Sequence, residues 1–374
     1  MSAPSLMEDL VEQILLRLPP EDPGCLVRAS LVCKPWRRLL AGPAFRRRYR
    51  DFHRRPRLLG FLQIVQGDQP YYSRFVPTSI FCPAEPDLPD WLVADCRHGR
   101  ALFVTTNPDV EGTLDLVVWD PMTDDYRLVP QPSLEPEDYM EYTAAVLCAT
   151  EGCHHCGCEG GPFRVAFLST ENGVTSARLY SSETDTWSEL TSVHHHKANV
   201  NFAASVLVGD ALYFRGIRNH IIEYQLRTSC LSVLQPLAMY SGRLMTGEDA
   251  ELGFAAVEGT ILTLWSREAD PKGVEAWTQL RVIELKALLP DYELSDSYMG
   301  LQHTWLPVAS VLGFAEGTDV IFVGTFASIY MIELKSGRVR KVLDEFGRVY
   351  PYMSFYIPAM EAVSTTEQPK GSVY

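Results

Sequence analysis

The residues best suited to chemistry are crowded into one short stretch. Cys153, Cys156 and Cys158 stand with His154 and His155 in EGCHHCGCEGG, and Cys148 lies five residues before Cys153. Thiolate and imidazole together suit zinc, and Cys-x-x-Cys is a zinc-ligand spacing. No second Cys-x-x-Cys and no His-x-x-x-His completes an ordinary finger, and the glycines read as a loop between strands. Cys153, Cys156 and Cys158 are thus the metal candidates, but the expectation is that neither metal nor any other cofactor is needed. His194-His195-His196 follows a polar stretch. Successive side chains alternate in an extended chain, so this run predicts a solvated loop and not a ligand set. No Gly-x-Ser-x-Gly elbow, His-Glu-x-x-His, Walker loop or spaced dinucleotide fingerprint is found, and the expectation is a non-catalytic protein.

Composition narrows the setting. The chain has 374 residues, 46% of them hydrophobic, which suits a folded protein of one to three domains. No apolar run approaches the ~18–20 residues that span a bilayer, and Glu8, Asp9 and Glu12 interrupt the apolar stretch near the start. A cytoplasmic or nuclear protein with no membrane partner is expected. The nine cysteines are odd in number and irregularly spaced, which predicts reduced thiols rather than a disulfide framework. Residues 1–60 hold 12 Lys and Arg against 6 Asp and Glu; the remainder holds 21 against 41. So acidic a remainder is a poor candidate for phosphate neutralisation, and no nucleic-acid partner is expected. The basic run from Arg46 to Arg57 admits three readings: a nuclear import signal, a nucleic-acid contact, or the solvated face of a last helix and its link to an acidic domain.

Helical signals are confined to the first 50 residues. Ser5 and Glu8 have capping-box spacing, which places a helix start near Leu6. At about 100° per residue, Met7, Leu10, Val11, Ile14, Leu15 and Leu18 share one broad face, with Leu16 on the polar side. Pro19-Pro20 stops this helix, Asp22-Pro23 opens a second, Lys34-Pro35 opens a third, and Pro43 ends or offsets it. So small a unit cannot bury all of this apolar surface alone. It either packs on its own chain or plugs into another protein.

The residues of this segment carry a resemblance. Leu6 and Leu10 (with Met7 where proline is usual), the Leu15, Leu18, Pro19 step, and the run Val32-Cys33-Lys34-Pro35-Trp36-Arg37 resemble the F-box. That module docks substrate receptors on the Skp adaptor of cullin-based ubiquitin ligases. The resemblance implies adaptor contacts from Leu6, Leu10, Ile14, Leu15, Leu18, Pro19, Val32, Cys33 and Trp36, some of which must instead form the module's own core.

After Tyr49 the pattern changes to short β-rich runs punctuated by turns. Five units recur at ~40–50 residues, the range of four-stranded propeller blades. Tight turns fall at Gly209-Asp210, Glu258-Gly259 and Glu316-Gly317, and polar turns at DPMTDDY, SETDTW, LRTSC and LKSGR. Segments 58–77 and 348–358 would complete a further blade from the two ends and so remove exposed sheet edges. A β-sandwich also gives many short strands, but the regular repeat favours a propeller of about six blades. The phrases Asp95-Cys96-Arg97-His98-Gly99-Arg100, VWDPMT, AAVLCA, GGPFRV, YSSET, LWSRE and IELKSGRVRKV resemble the F-box-associated β-propeller domain of plant F-box proteins, in the expanded set found in grasses.

The fold class expected is mainly β with a small N-terminal α domain: a three-helix F-box followed by the propeller. Residues 1–50 form the F-box, 51–57 a basic linker, 58–360 the propeller and 361–374 a tail. The resemblance implies the substrate-recognition subunit of a Skp-cullin-F-box ubiquitin ligase, with an adaptor, a cullin and an unknown target protein as partners. The target-binding residues are unknown from sequence. The alternative is a ligase-independent protein-binding or glycan-binding scaffold, for which Trp91, Trp187, Trp277 and Trp305 are available as stacking platforms.

Overall fold

Helix α1 spans Glu8–Leu16. It closes ahead of Pro19 through a tightened last turn, Arg17 N to Ile14 O (3.1 Å) and Leu18 N to Leu15 O (3.2 Å), because the residue before a proline avoids helical dihedrals. Helix α2 (Pro23–Val32) begins on its proline. Cys33, extended at φ −161°, caps α3 (Lys34–Ala41), which carries proline in its first turn. Pro43 then opens a fourth helix, α4 (Pro43–His53). The sequence predicted three helices. Proline at a first helical position loses no hydrogen bond and has the right φ, so it starts a helix as readily as it stops one. The helix also takes in residues 51–53, read from sequence as linker.

The coordinates are a computed structural model that describes residues 8–355 apart from 21–22, 54–55, 66–70, 107–113, 131, 133–141, 151–152, 154, 156–157, 159, 196–198, 218–219, 235–241, 248–249, 270–274, 291–292 and 295–307. The Ser5 capping box and the expected tail, 361–374, lie outside these residues.

Phe45 and Tyr49 of α4, four residues apart, share a buried cluster with Val11, Leu15, Leu16, Leu26, Leu40 and Phe355. Tyr49 Oη donates to Leu18 O at 3.0 Å, His53 Nε2 lies 2.9 Å from Leu16 O, and Arg48 pairs with Glu12. Leu16 is therefore buried, not on a polar face: α4 covers the end of α1.

Strands follow in chain order. β1 (Arg57–Val65), β2 (Tyr72–Pro77) and β3 (Asp87–Leu88) form most of one sheet. β4 (Trp91–Arg97), β5 (Arg100–Thr106), β6 (Leu114–Asp120) and β7 (Asp125–Val129) form the second blade. The third holds β8 (Tyr142–Cys148), β9 (Phe163–Glu171), β10 (Val174–Ser181), β11 (Thr186–Trp187) and β12 (Thr191–His194), the last two both pairing β10. The fourth is β13 (Val206–Val208), β14 (Ala211–Arg215), β15 (Ile221–Gln225) and β16 (Cys230–Leu234). The fifth is β17 (Arg243–Thr246), β18 (Leu252–Glu258), β19 (Ile261–Ala269) and β20 (Glu275–Glu284). The sixth is β21 (Ala309–Phe314), β22 (Val320–Thr325), β23 (Ile329–Glu333) and β24 (Val339–Leu343). Finally β25 (Val349–Ser354) returns to the first sheet and pairs antiparallel with β1, from Gln63↔Val349 to Arg57↔Ser354. The result is a six-bladed propeller closed by both ends of its β-rich region.

Apolar clusters lie between consecutive blades all the way round. Blades one and two share Phe75, Phe103 and Tyr352, and blades six and one share Phe322, Leu312 and Phe61. The polar turns predicted from sequence join the third and fourth strands of blades. Asp124, Asp185, Ser229 and Gly337 sit there with φ of 61°, 57°, 50° and 70°. Glycine and short polar residues tolerate that left-handed geometry best. In two blades the turn aspartate also accepts from the preceding strand's aromatic: Trp119 Nε1 donates to Asp124 (3.0 Å), and Tyr180 Oη donates to Asp185.

Candidate functional site

On α1 the broad apolar face divides into two stripes about 100° apart. Val11 and Leu15 point into the helical core. Leu10 and Ile14, adjacent as an i,i+4 pair, remain 48% and 53% exposed. The end of α2 repeats this, with Leu31 and Val32 at 76% and 64%. Of the other implied contact residues, Pro19 is exposed, while Leu18, Cys33 and Trp36 are half-buried, Leu18 and Trp36 against the helical core. Leu15 is core and Leu6 lies outside the described residues. Leu31 was missed from sequence, since no period marks which apolar residues of so short a helix face outward. With Phe52 of α4 also exposed, five large apolar side chains are left in water on this small module, and such side chains are suited to capping by another protein.

A second constellation is organised by the β4–β5 hairpin, the Asp95-to-Arg100 phrase singled out above. His98 and Gly99 form its turn at φ 55° and 76°, as a two-residue hairpin requires. Arg97 is fully enclosed. Its Nη1 donates to Asp95 (2.9 Å) and Ser205 Oγ (3.2 Å), its Nη2 to Ser205 O (2.8 Å) and Glu316 (2.9 Å), and its Nε to Glu316 (3.2 Å). One guanidinium thus ties blades two, four and six across the propeller's middle. Burial works against its charge, but Asp95 and Glu316 more than offset this and hold it protonated. Asp95 also accepts from Val146 N of β8 at 3.0 Å. Burial pushes its carboxyl up to about 6, against the pull of Arg97. A recess of about 250 Å³ opens here, lined by Arg97, Ser205, Glu316, Tyr350 and Pro56. Arg97 spends its donors within the chain, so the recess reads as architecture and not as an anion site.

The same hairpin supports the cysteine loop. His98 Nδ1 accepts from Cys148 N at 3.2 Å, and its ring stacks on His155 at 3.7 Å between centroids. Arg100 Nη2 donates to Cys158 O and, at 2.7 Å, to Gly161 O. The ligand atoms of Cys148, Cys153, His155 and Cys158 all lie within 4.8 Å of one another. Sequence spacing had grouped Cys153, Cys156 and Cys158. Cys156 lies outside the described residues, and the fold adds Cys148 from the end of β8. Among the described residues, these four side chains are the group that could hold a metal.

The remaining sequence candidates disperse. Trp91 packs on Phe103, Trp187 on Tyr180 and Trp277 on Phe254, so these three serve blade packing; Trp305 lies outside the described residues. His194 pairs in β12, and His195 Nε2 sits 2.6 Å from Thr175 Oγ1. His196 also lies outside the described residues. No helix among the described residues is long and apolar enough to cross a membrane.

A small helical module with outward apolar side chains is thus followed by a closed six-bladed propeller. The F-box domain model matches residues 5–48. The family described as F-box protein AT5G49610-like, beta-propeller, matches residues 92–360, and the chain belongs to that family. No curated protein matches the chain. Among solved structures, a chain of the "Crystal Structure of Mitotic Checkpoint Complex" is 12% identical, with a TM-score of 0.36 over 69% of this chain and 64% of that one. The match therefore spans less than two thirds of that chain's length.

Proposed function

We propose that this chain is the substrate-recognition subunit of a Skp-cullin-F-box ubiquitin ligase, from the set expanded in grasses. The observation that carries the reading is the outward pair Leu10 and Ile14 on a segment matched as an F-box, since F-box domains generally bind Skp-type adaptors. The adaptor would cover Leu10, Ile14, Leu31 and Val32 and through it reach a cullin, while the propeller holds a target protein. The subunit itself makes and breaks no bond. It raises the effective concentration of a target lysine beside the charged conjugating enzyme. Residues 1–50 and 58–360 are the two working parts, acting in the cytoplasm, the nucleus or both.

Affinity capture of the full chain from its native tissue, with the proteasome blocked, tests this. Adaptor, cullin and a ubiquitylated target are expected together. A stable target complex lacking adaptor and cullin would overturn the ligase reading in favour of a ligase-independent scaffold.

A further inference from the structure

Cys148 is the last residue of β8, and the chain then loops for fourteen residues before β9. The loop is folded back on its own base: Ala149 N donates to Pro162 O (3.0 Å), Cys153 N to Thr150 O (3.3 Å) and Gly161 N to Cys158 O (3.1 Å). Inside it the Sγ atoms of Cys153 and Cys158 are 3.5 Å apart, and Cys158 Sγ is 3.6 Å from His155 Nδ1. A disulfide needs about 2.05 Å, so this is not one. A tetrahedral zinc ion, with Zn–S near 2.3 Å and Zn–N near 2.0–2.1 Å, requires about 3.8 Å between sulfurs and about 3.6 Å between sulfur and nitrogen. The observed separations lie close to both values.

We propose that Cys148, Cys153, His155 and Cys158 form a structural Cys₃His zinc site that fixes the β8–β9 loop against the β4–β5 hairpin. Soft sulfur donors favour zinc over calcium or magnesium, which take oxygen. Four protein ligands fill the tetrahedron and leave no open position for substrate, so the site is structural. Its surroundings fit a metal centre. His155 N donates to Cys153 Sγ at 3.3 Å, and the His98 ring lies flat against His155, 13° from parallel. Three thiolates around Zn²⁺ leave one net negative charge, and the buried Arg100 guanidinium holds the loop's backbone at Cys158 O and Gly161 O. His155 itself has φ of 56°, an uncommon conformation for a non-glycine residue that ligation would hold in place.

The test uses the full chain, purified under reducing conditions without added metal. Elemental analysis should find one zinc per chain. Exchange for cobalt should give thiolate-to-cobalt charge-transfer bands with the strong visible bands of a tetrahedral site. Cys148→Ser and Cys158→Ser should each lose stoichiometric metal, while Cys156→Ser and the remote Cys230→Ser should keep it. The wild-type cobalt spectrum decides the matter even where a variant fails to fold. Wild-type chain without zinc that also gives no cobalt–thiolate bands would overturn the proposal. So would a Cys153–Cys158 disulfide in chain purified without reductant, or metal retained in Cys148→Ser and lost in Cys156→Ser.

Discussion

Glu293, on the connection from the fifth blade to the sixth, is a buried carboxylate that accepts from Thr325 Oγ1 (2.7 Å), Ser328 Oγ (3.1 Å) and Lys341 Nζ (3.3 Å) of the sixth blade. Burial alone would raise its pKa, but the bonds from Thr325, Tyr330, Lys341 and Ser328 outweigh it and hold the carboxyl below its usual range. The folded state therefore binds the proton less tightly than the unfolded chain. The stability this group supplies is present above the unfolded pKa and is lost as pH falls through the folded one. Glu293→Gln should cost about 1.5–3 kcal/mol at neutral pH in denaturant titrations, the range for charged hydrogen bonds. The difference from wild type should shrink below about pH 5; a difference that grew on acidification would refute this role. Asp95→Asn should cost about 3 kcal/mol, the low end for breaking a buried ion pair, because it leaves the enclosed Arg97 with only the more exposed carboxylate of Glu316. Wild-type melting in that variant would show that the Arg97 knot contributes little. Neither role was legible in the sequence. The Asp95 phrase stood out only as a resemblance, because Ser205 and Glu316, the partners of Arg97, lie 108 and 219 residues away.

At the scale of elements, the closing strand matters most. β25 is paired to β1, and Phe355 just beyond it sits in the helical core, so one short segment seals the ring and fastens the helices to it. Deleting residues 345–374 should give insoluble protein or a much lower melting temperature, since it opens a blade and uncovers sheet edges. A soluble truncation with wild-type melting would contradict this. The strands were readable because short β-rich runs alternate with turn residues, and the φ values at Asp124, Asp185 and Gly337 explain why those turns look as they do. The helices were less so. Pro43 reads equally as a stop or a start, and the burial of Leu16 depends on α4, which pattern alone did not reveal. The cysteine cluster was only half visible, since Cys148 comes from the end of a strand and not from a spaced pair.

At the scale of the molecule, the chain divides its charge. The basic helices and the acidic propeller, with 21 basic against 41 acidic residues after position 60, suggest a basic or mixed-charge target for the propeller face. A fragment of residues 58–374 should capture the target, fail to recruit the adaptor and stabilise the target in cells. A fragment that captures nothing bound by the full chain would place target choice elsewhere. The central claim is that the apolar pair on α1 docks the adaptor, and calorimetric titration of purified full-length chain with a Skp-type adaptor tests it most directly. Saturable one-to-one binding is expected. Leu10→Asp should weaken it by about 30-fold or more, roughly 2 kcal/mol at a buried anchor, while leaving the melting temperature unchanged because Leu10 is already half in water. Equal affinity in wild type and Leu10→Asp, or no binding by the wild type, would contradict the account.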